Sequence, residues 1–261
     1  MNWFNRRRIR RLKRHLDNDL PVFHPNSGNY WLYPNLTYSA ANRLPSQLVR
    51  LLPNSTTSVE DASKFAADDN GQLAALFDAH GSDKAAHGYA SVYSFVFRSL
   101  GRPDLALLEI GLGTNDPNAI STMGTTGRPG ASLRAFRDYM PKAAIYGADI
   151  DRNILFSEQR INTGWVDQTK PATFDEMAAQ LGCPLFDLII DDGLHSSEAN
   201  LNTIDFWLRS STPGSWVVIE DIAERSLDIW HTAAALLALS GHRCRLIRTR
   251  DSYLFLANRG S

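Results

Sequence analysis

Two short apolar runs that end in paired acidic residues constrain the fold of this chain more than any other feature. Residues 188–190 are Leu-Ile-Ile, and residues 216–219 are Trp-Val-Val-Ile. Runs this short and this apolar are typical of strands buried on both faces of a parallel sheet. The acids that follow the two runs are Asp191, Asp192, Glu220 and Asp221. Since ligands bind at the carboxyl ends of such strands, the sequence predicts a binding site there.

These acidic residues need compensation if they meet at one edge of a sheet. Ionised carboxylates beside buried strands are costly unless they accept hydrogen bonds or hold a cation. A hard divalent cation with oxygen ligands would relieve their mutual repulsion. The alternative for the first pair is structural, with Asp191 capping the next helix and His195 packing in its first turn. The presence of the second acidic pair favours the metal.

The composition indicates a globular chain with one sizeable α/β domain. Of its 261 residues, 43% are apolar and 21% are charged, and the net charge of -1 disfavours a dedicated nucleic-acid binder. Cys183 and Cys244 are the only cysteines. Neither a disulfide framework nor a structural zinc site is therefore expected, and a reducing, cytoplasmic location is. No apolar run approaches the ~20 residues of a membrane span, and the basic start lacks the apolar segment of a secretory signal.

The first 20 residues carry an uneven charge distribution. Arginines crowd residues 6–14, and apolar residues recur among and after them at helical spacing, which predicts a basic amphipathic helix. Such a helix would bind an anionic membrane surface, here the inner face of the membrane. Nucleic acid is a weaker alternative. A solvated arm, or a contact with another subunit of a homo-oligomer, would explain the same pattern.

A polar turn between two predicted helices precedes the first strand of the main domain. The candidate substrate-loop residues in this turn are Asp83, Lys84, His87 and Tyr89. A loop here could reach over the sheet edge and contact a substrate. The alternative is a capped turn with surface charges.

A glycine-rich turn follows the strand predicted at residues 105–111. It contains Gly111 and Gly113, which would let a cofactor approach the backbone. A dinucleotide fingerprint needs a third glycine at the position that Asp116 occupies. Glu109 lies inside the strand, where it suits a cofactor with positive charge, such as S-adenosylmethionine.

Other acids are placed to complete a cofactor site. Asp149 ends the second strand, where it could accept ribose hydroxyls. Asp167 and Gln168 end a short third strand predicted at residues 165–168, where they suit an adenine edge. Asp191 is also expected to face the cofactor.

Strand and helix alternate five times before a terminal strand pair. This order predicts a Rossmann-like doubly wound sheet, mostly parallel with an antiparallel C-terminal pair. Residues 71–261 are predicted to form this domain, and residues 1–70 a basic arm with an irregular, proline-rich extension.

The motifs at residues 109–113, Asp149 and the terminal strand pair resemble the class I S-adenosylmethionine-dependent methyltransferases. More narrowly, residues 81–89, 191–195 and 219–221 are similar to the metal-dependent sugar O-methyltransferases of the macrocin and mycinamicin type. The resemblance covers about residues 75–258 and leaves residues 1–70 unmatched.

The resemblance implies a divalent-metal-assisted O-methyltransferase that acts on a sugar hydroxyl of a glycan, glycolipid or glycosylated small molecule. It implies that Asp192, Glu220 and Asp221 bind Mg2+ or Mn2+, and that His195 acts as general base beside Asp192. The alternatives are a nucleic-acid methyltransferase that uses the arginine-rich arm, and a non-catalytic scaffold of the same fold tethered to a membrane or partner.

Overall fold

One nine-stranded sheet organises the part of the chain described by the computed structural model, residues 57–260 without 118, 120 and 184. The order across the sheet is β1-β8-β9-β7-β6-β2-β3-β5-β4. The strands are β1 Val59–Asp61, β2 Ala106–Ile110, β3 Ala144–Asp149, β4 Ser157–Glu158, β5 Ile161–Trp165, β6 Phe186–Asp191, β7 Ser211–Ile222, β8 Arg243–Arg248 and β9 Tyr253–Asn258.

Helices alternate with these strands as the sequence predicts. They are α1 Gln72–His80, α2 Ala90–Leu100, α3 Ala131–Tyr139, α4 Ala172–Leu181, α5 Ser197–Arg209 and α6 Leu227–Leu239. Local signals set their ends: the Ser196 side chain accepts a hydrogen bond from the Ala199 N–H at the start of α5. Gly81 caps the carboxyl end of α1, and its φ of 82° is readily adopted only by glycine.

The order of the strands reverses between β2 and β6. From β2 the chain proceeds to β3 and β5 on one side, and it then returns to β6 and β7 on the other, all in parallel pairs. Strand β9 pairs antiparallel with both β7 and β8. The predicted doubly wound sheet with an antiparallel C-terminal pair is confirmed. In such a sheet the carboxyl ends beside the reversal are the expected ligand site.

Two apolar layers cover the sheet. Successive residues of one strand point to opposite faces, so that Leu107 packs with helices α1 to α3 and Leu108 with helices α4 to α6. The same alternation holds in β6, where Leu188 and Ile190 face one layer and Ile189 faces the other. Burial on both faces explains why these strands are continuous apolar runs rather than alternating ones.

Three features differ from the prediction or lie outside it. The sequence predicts the third parallel strand at residues 165–168, but the observed strand, β5, spans Ile161–Trp165. Val166, Asp167 and Gln168 follow it. Its residues include Asn162 and Gly164, which are poor strand formers, and parallel pairing with β3 overrides that local preference.

Strand β1 precedes residue 71 and pairs with β8; the domain boundary at residue 70 stays a prediction. The basic arm at residues 1–20 lies outside the described residues. Among those residues, no helix is both long and apolar enough to cross a membrane.

Asp187 connects the amino end of β6 to its two neighbouring strands, at the opposite end of the strands from the predicted site. Its buried carboxylate accepts hydrogen bonds from the Ala106 N–H (2.9 Å) and the Thr212 hydroxyl (2.7 Å), and it pairs with Arg102. One side chain therefore connects three neighbouring strands where β2 and β7 begin.

We expect Asp187→Ala to lower the free energy of unfolding by about 1–3 kcal/mol, because the Ala106 N–H would lose its partner in a partly buried position. Urea unfolding followed by circular dichroism measures the change. Asp104→Ala, an exposed acid of the preceding loop, is the control. Equal stability of both variants would show that the Asp187 contacts do not hold the strands.

Candidate active site

The carboxyl ends of β2, β3, β6 and β7 open into a cavity of about 520 Å³. This volume is in the range of small-molecule sites. Most of the predicted site residues line it. Glu109 and Asp191 are the exceptions: both are fully buried just behind the wall.

The backbone of the glycine turn after β2 lies close to the backbone of the loop after β6. Gly111 and Gly113 have φ values of 94° and 81°, which favour glycine. A side chain at Gly111 would place its Cβ 2.1 Å from the backbone oxygen of Asp192. Asp149 secures the turn by accepting a hydrogen bond from the Leu112 N–H (2.7 Å), and burial raises the pKa of Asp149.

Gln168 connects the end of β5 with the loop after β6. Its Nε2 donates to Asp191 Oδ1 (2.8 Å), and its Oε1 accepts from the Leu194 N–H (2.8 Å). Asp167 is held by Lys170 and Thr169, whose hydrogen bonds lower its pKa. Gln168 thus positions Asp191 and the segment that leads to His195.

Lys84 lines the cavity and is buried among acids of β2 and β7 and the acid that follows β6. Its Nζ lies 2.6 Å from Asp192 Oδ2, 2.6 Å from Glu220 Oε2 and 3.1 Å from Glu109 Oε1. Burial alone would lower the pKa of Lys84, but the neighbouring carboxylates, Asp192 and Glu220 foremost, outweigh it and raise the pKa well above its usual range. Lys84 is therefore a permanent internal cation, whereas the sequence only placed it among the substrate-loop residues.

Two hydroxyl groups complete the surroundings of the buried glutamates. Tyr93 of α2 donates to Glu220, and Ser132 of α3 donates to Glu109 Oε2 (2.5 Å). Burial raises the pKa of both glutamates, and the Asp192 charge raises that of Glu220 further. The sequence analysis missed both hydroxyls, because Tyr93 matches the apolar face of its helix and Ser132 matches a helix start.

Asp192, His195 and Asp221 form a group that could hold a metal ion. One ligand atom of each lies within 4.8 Å of the others. His195 Nε2 is 4.0 Å from Asp192 Oδ1 and 3.9 Å from Asp221 Oδ2. Glu220 lies outside this group, on the side of Lys84.

The backbone at this group is strained. His195 and Asp221 have φ values of 54° and 52°, in the left-handed region. Such a conformation costs a non-glycine residue about 1–3 kcal/mol and occurs most often at functional sites. Contacts elsewhere in the fold therefore offset the unfavourable conformational free energy that places these two side chains at the cavity.

Asp221 is fixed by one residue of the predicted loop and by one residue that the sequence did not indicate. It accepts hydrogen bonds from the hydroxyls of Tyr89 (2.5 Å) and Ser252 (3.0 Å). Burial raises the pKa of Asp221, but these hydrogen bonds and the nearby His195 outweigh it, so the pKa lies below its usual value. Burial also raises the pKa of Tyr89, which stays a neutral donor. Ser252 lies between β8 and β9, far from any motif in the sequence.

The segment between α1 and α2 forms one side of the cavity mouth. His87 lies between Asp83 (3.6 Å) and Asp251 (3.5 Å), and its ring centroid is 5.6 Å from that of Tyr89. The four candidate loop residues therefore do line the cavity, with Lys84 and Tyr89 buried and the other two nearer to solvent.

Comparison with known proteins points to one group of enzymes. No protein-family model matches the chain. It is 32% identical over 151 residues to the 8-demethyl-8-alpha-L-rhamnosyl tetracenomycin-C 2'-O-methyltransferase of Streptomyces olivaceus, across 58% of this chain and 37% of that enzyme. It is 32% identical over 136 residues to the demethylmacrocin O-methyltransferase of Streptomyces fradiae, across 52% of this chain and 32% of that enzyme. The chain thus spans only about a third of the length of these relatives.

A solved structure shows the same fold. The MycE methyltransferase of the mycinamycin biosynthetic pathway, in complex with Mg, SAH and mycinamycin VI, superposes with a TM-score of 0.56 at 23% identity. The match covers 72% of this chain and 55% of that one. The resemblance predicted from the sequence is confirmed. The protein has the fold of the class I S-adenosylmethionine-dependent methyltransferases, and its sequence is related to the sugar O-methyltransferases of the macrocin and mycinamicin type.

Proposed function

We propose that this chain is an S-adenosylmethionine-dependent, divalent-metal-assisted O-methyltransferase that acts on a sugar hydroxyl. The observation that carries the proposal is the Asp192, His195 and Asp221 group, which faces the same cavity as the glycine turn. A metal site and a cofactor site in one cavity are what this reaction needs. The two relatives, both O-methyltransferases by name, support this chemistry.

The residues around the glycine turn fit the cofactor. One predicted cofactor-binding acid keeps a buried oxygen without a hydrogen-bond partner in the described part of the chain, Asp191 Oδ2. A buried acceptor of this kind suits the donors of a ligand. Glu109 Oε1 instead lies 3.1 Å from Lys84 Nζ. S-adenosylmethionine supplies the methyl group when bound. Asp149 would accept ribose hydroxyls, and the positive φ of Gly111 and Gly113 would shape the turn that presents its backbone to the ligand.

The acidic residues fit a divalent cation. We assign Asp192 and Asp221 as its ligands, since their oxygen donors suit Mg2+ or Mn2+. Glu220, the third ligand that the resemblance implies, lies outside their group and would join it only by giving up its ion pair with Lys84. A cation here supplies Lewis acidity, which makes a neighbouring sugar hydroxyl easier to deprotonate. Asp221, ionised and fixed by two hydroxyls, would hold its place when the cation leaves.

His195 is assigned as the general base. Its imidazole lies at the cavity beside Asp192 and Asp221, so it can take the proton of a hydroxyl that enters there. The fixed walls would align this hydroxyl with the methyl group, and alignment is itself a large part of catalysis. We propose that the acceptor is a glycan, a glycolipid or a glycosylated small molecule. The intact acidic site disfavours a non-catalytic scaffold.

We expect S-adenosylhomocysteine (SAH), the demethylated product, to bind in isothermal calorimetry and NAD to show no binding. Asp149→Asn should weaken SAH about tenfold, because a charged acceptor is replaced by a neutral one. Asp104→Asn, an exposed acid outside the cavity, should leave binding unchanged. Binding of NAD without SAH would contradict the cofactor assignment.

We expect His195→Ala to lower kcat by ~10²–10⁴-fold, the usual worth of a general base, while SAH affinity stays unchanged. Release of SAH with a panel of glycosylated acceptors measures turnover. A chelator should stop the wild-type reaction and Mg2+ should restore it, whereas Asp192→Ala should show no thermal shift with Mg2+. Undiminished methylation by the chelated protein would contradict the metal mechanism.

We further infer from the sequence that residues 1–20 contact an anionic membrane surface. Their removal should abolish cosedimentation with phosphatidylserine vesicles and leave turnover intact, because the arginines supply the attraction. Phosphatidylcholine vesicles are the control. If the shortened chain instead changes its oligomeric state, the arm is a subunit contact and the membrane proposal is wrong.

A further inference from the structure

The cavity contains two permanent cations among its described residues, and they differ in their surroundings. Lys84 is buried and engaged by three carboxylates. Arg128 is exposed at the cavity wall, and within the described part of the chain its guanidinium makes neither a hydrogen bond nor an ion pair. Other arginines nearby are paired, as Arg134 is with Glu158. Arg128 is thus a positively charged residue at the cavity, and its guanidinium N–H groups are available to a ligand.

The position of Arg128 is set by its backbone and by a glycine. The Arg128 carbonyl accepts from the Ala131 N–H (3.0 Å) at the start of α3, and the Gly130 N–H donates to the Leu112 carbonyl (2.8 Å) in the glycine turn. The Arg128 side chain lies against Gly81, where a Cβ would come within 3.0 Å of its Cδ. Arg128 therefore lies close to the predicted cofactor turn and against the segment that begins at Gly81.

The charges of the other residues that line the cavity indicate which group of a ligand Arg128 would bind. Most of its charged groups are carboxylates, which repel an anionic ligand. Arg128 is the exposed exception, and a guanidinium matches a carboxylate with two parallel hydrogen bonds. S-adenosylmethionine and SAH carry one carboxylate, at the amino-acid end.

We propose that Arg128 binds the α-carboxylate of the cofactor and so orients its amino-acid end. The inference rests on the proposed function, since it assumes that the cavity takes S-adenosylmethionine. The same chemistry could serve a carboxylate on the acceptor, such as a uronic acid, and the experiment separates the two sources.

The test compares two ligands that differ only in the amino-acid part. SAH carries the carboxylate, whereas 5′-methylthioadenosine has the same nucleoside and thioether without it. In calorimetry, Arg128→Met should raise the Kd of SAH about 10–100-fold and leave that of 5′-methylthioadenosine unchanged. Arg128→Lys should recover part of the affinity, because it keeps the charge and loses the paired donors. Arg98→Met, an exposed arginine outside the cavity, should bind both ligands as the wild type does.

Each other outcome counts against the proposal. Unchanged SAH binding by Arg128→Met overturns the assignment of Arg128 to the cofactor carboxylate and leaves the cofactor itself in place. If Arg128→Met loses only the binding of methyl glucuronide, with methyl glucoside as control, Arg128 binds a carboxylate of the acceptor instead. Equal weakening of SAH and 5′-methylthioadenosine overturns it too, since the effect would not involve the carboxylate. A wild-type chain that binds 5′-methylthioadenosine and SAH with equal affinity overturns the inference alone. One that binds neither overturns the proposed function with it.

Discussion

The contact of the Lys84 ammonium with three carboxylates is the interaction on which the site depends. Glu109, Asp192 and Glu220 belong to three neighbouring segments of the sheet, and without a counter-charge their burial would be unfavourable. Removing one partner of a buried ion pair typically costs about 3–5 kcal/mol, a large share of the ~5–15 kcal/mol that stabilises most domains. Burial, and after it the charge of Asp192, raises the pKa values of the two glutamates. Because one ammonium faces three acids, the cavity stays attractive to a further cation.

The fold and much of the site could be predicted from local patterns. The apolar runs of β2, β6 and β7 are short and continuous, and the glycines after β2 lie where a turn requires positive φ. Period and composition are sufficient for such elements. Strand β5 shows where they fail: its pairing with β3 decides its limits, and Asn162 and Gly164 carry no strand signal.

Contacts between distant side chains could not be predicted, because no local pattern encodes them. Lys84 and Glu220 are 136 positions apart, and Tyr89 and Ser252 are 163 apart. From the sequence Lys84 was one polar residue of a loop, and only its contacts with three carboxylates remote in sequence make it an internal cation. Tyr93 shows the same limit, since its ring belongs to the core while its hydroxyl reaches Glu220.

The bond between Ser252 and Asp221 has a consequence for how the site comes into existence. Ser252 lies in the turn between the two C-terminal strands, and Asp221 in the strand next to them, so the aspartate is fixed only once this edge of the sheet has closed. Contacts that join remote parts of a chain form after the loops between them have been ordered. A partly folded chain would thus carry the acids without their geometry. The active-site geometry would therefore form only when the sheet is complete, in the same cooperative step.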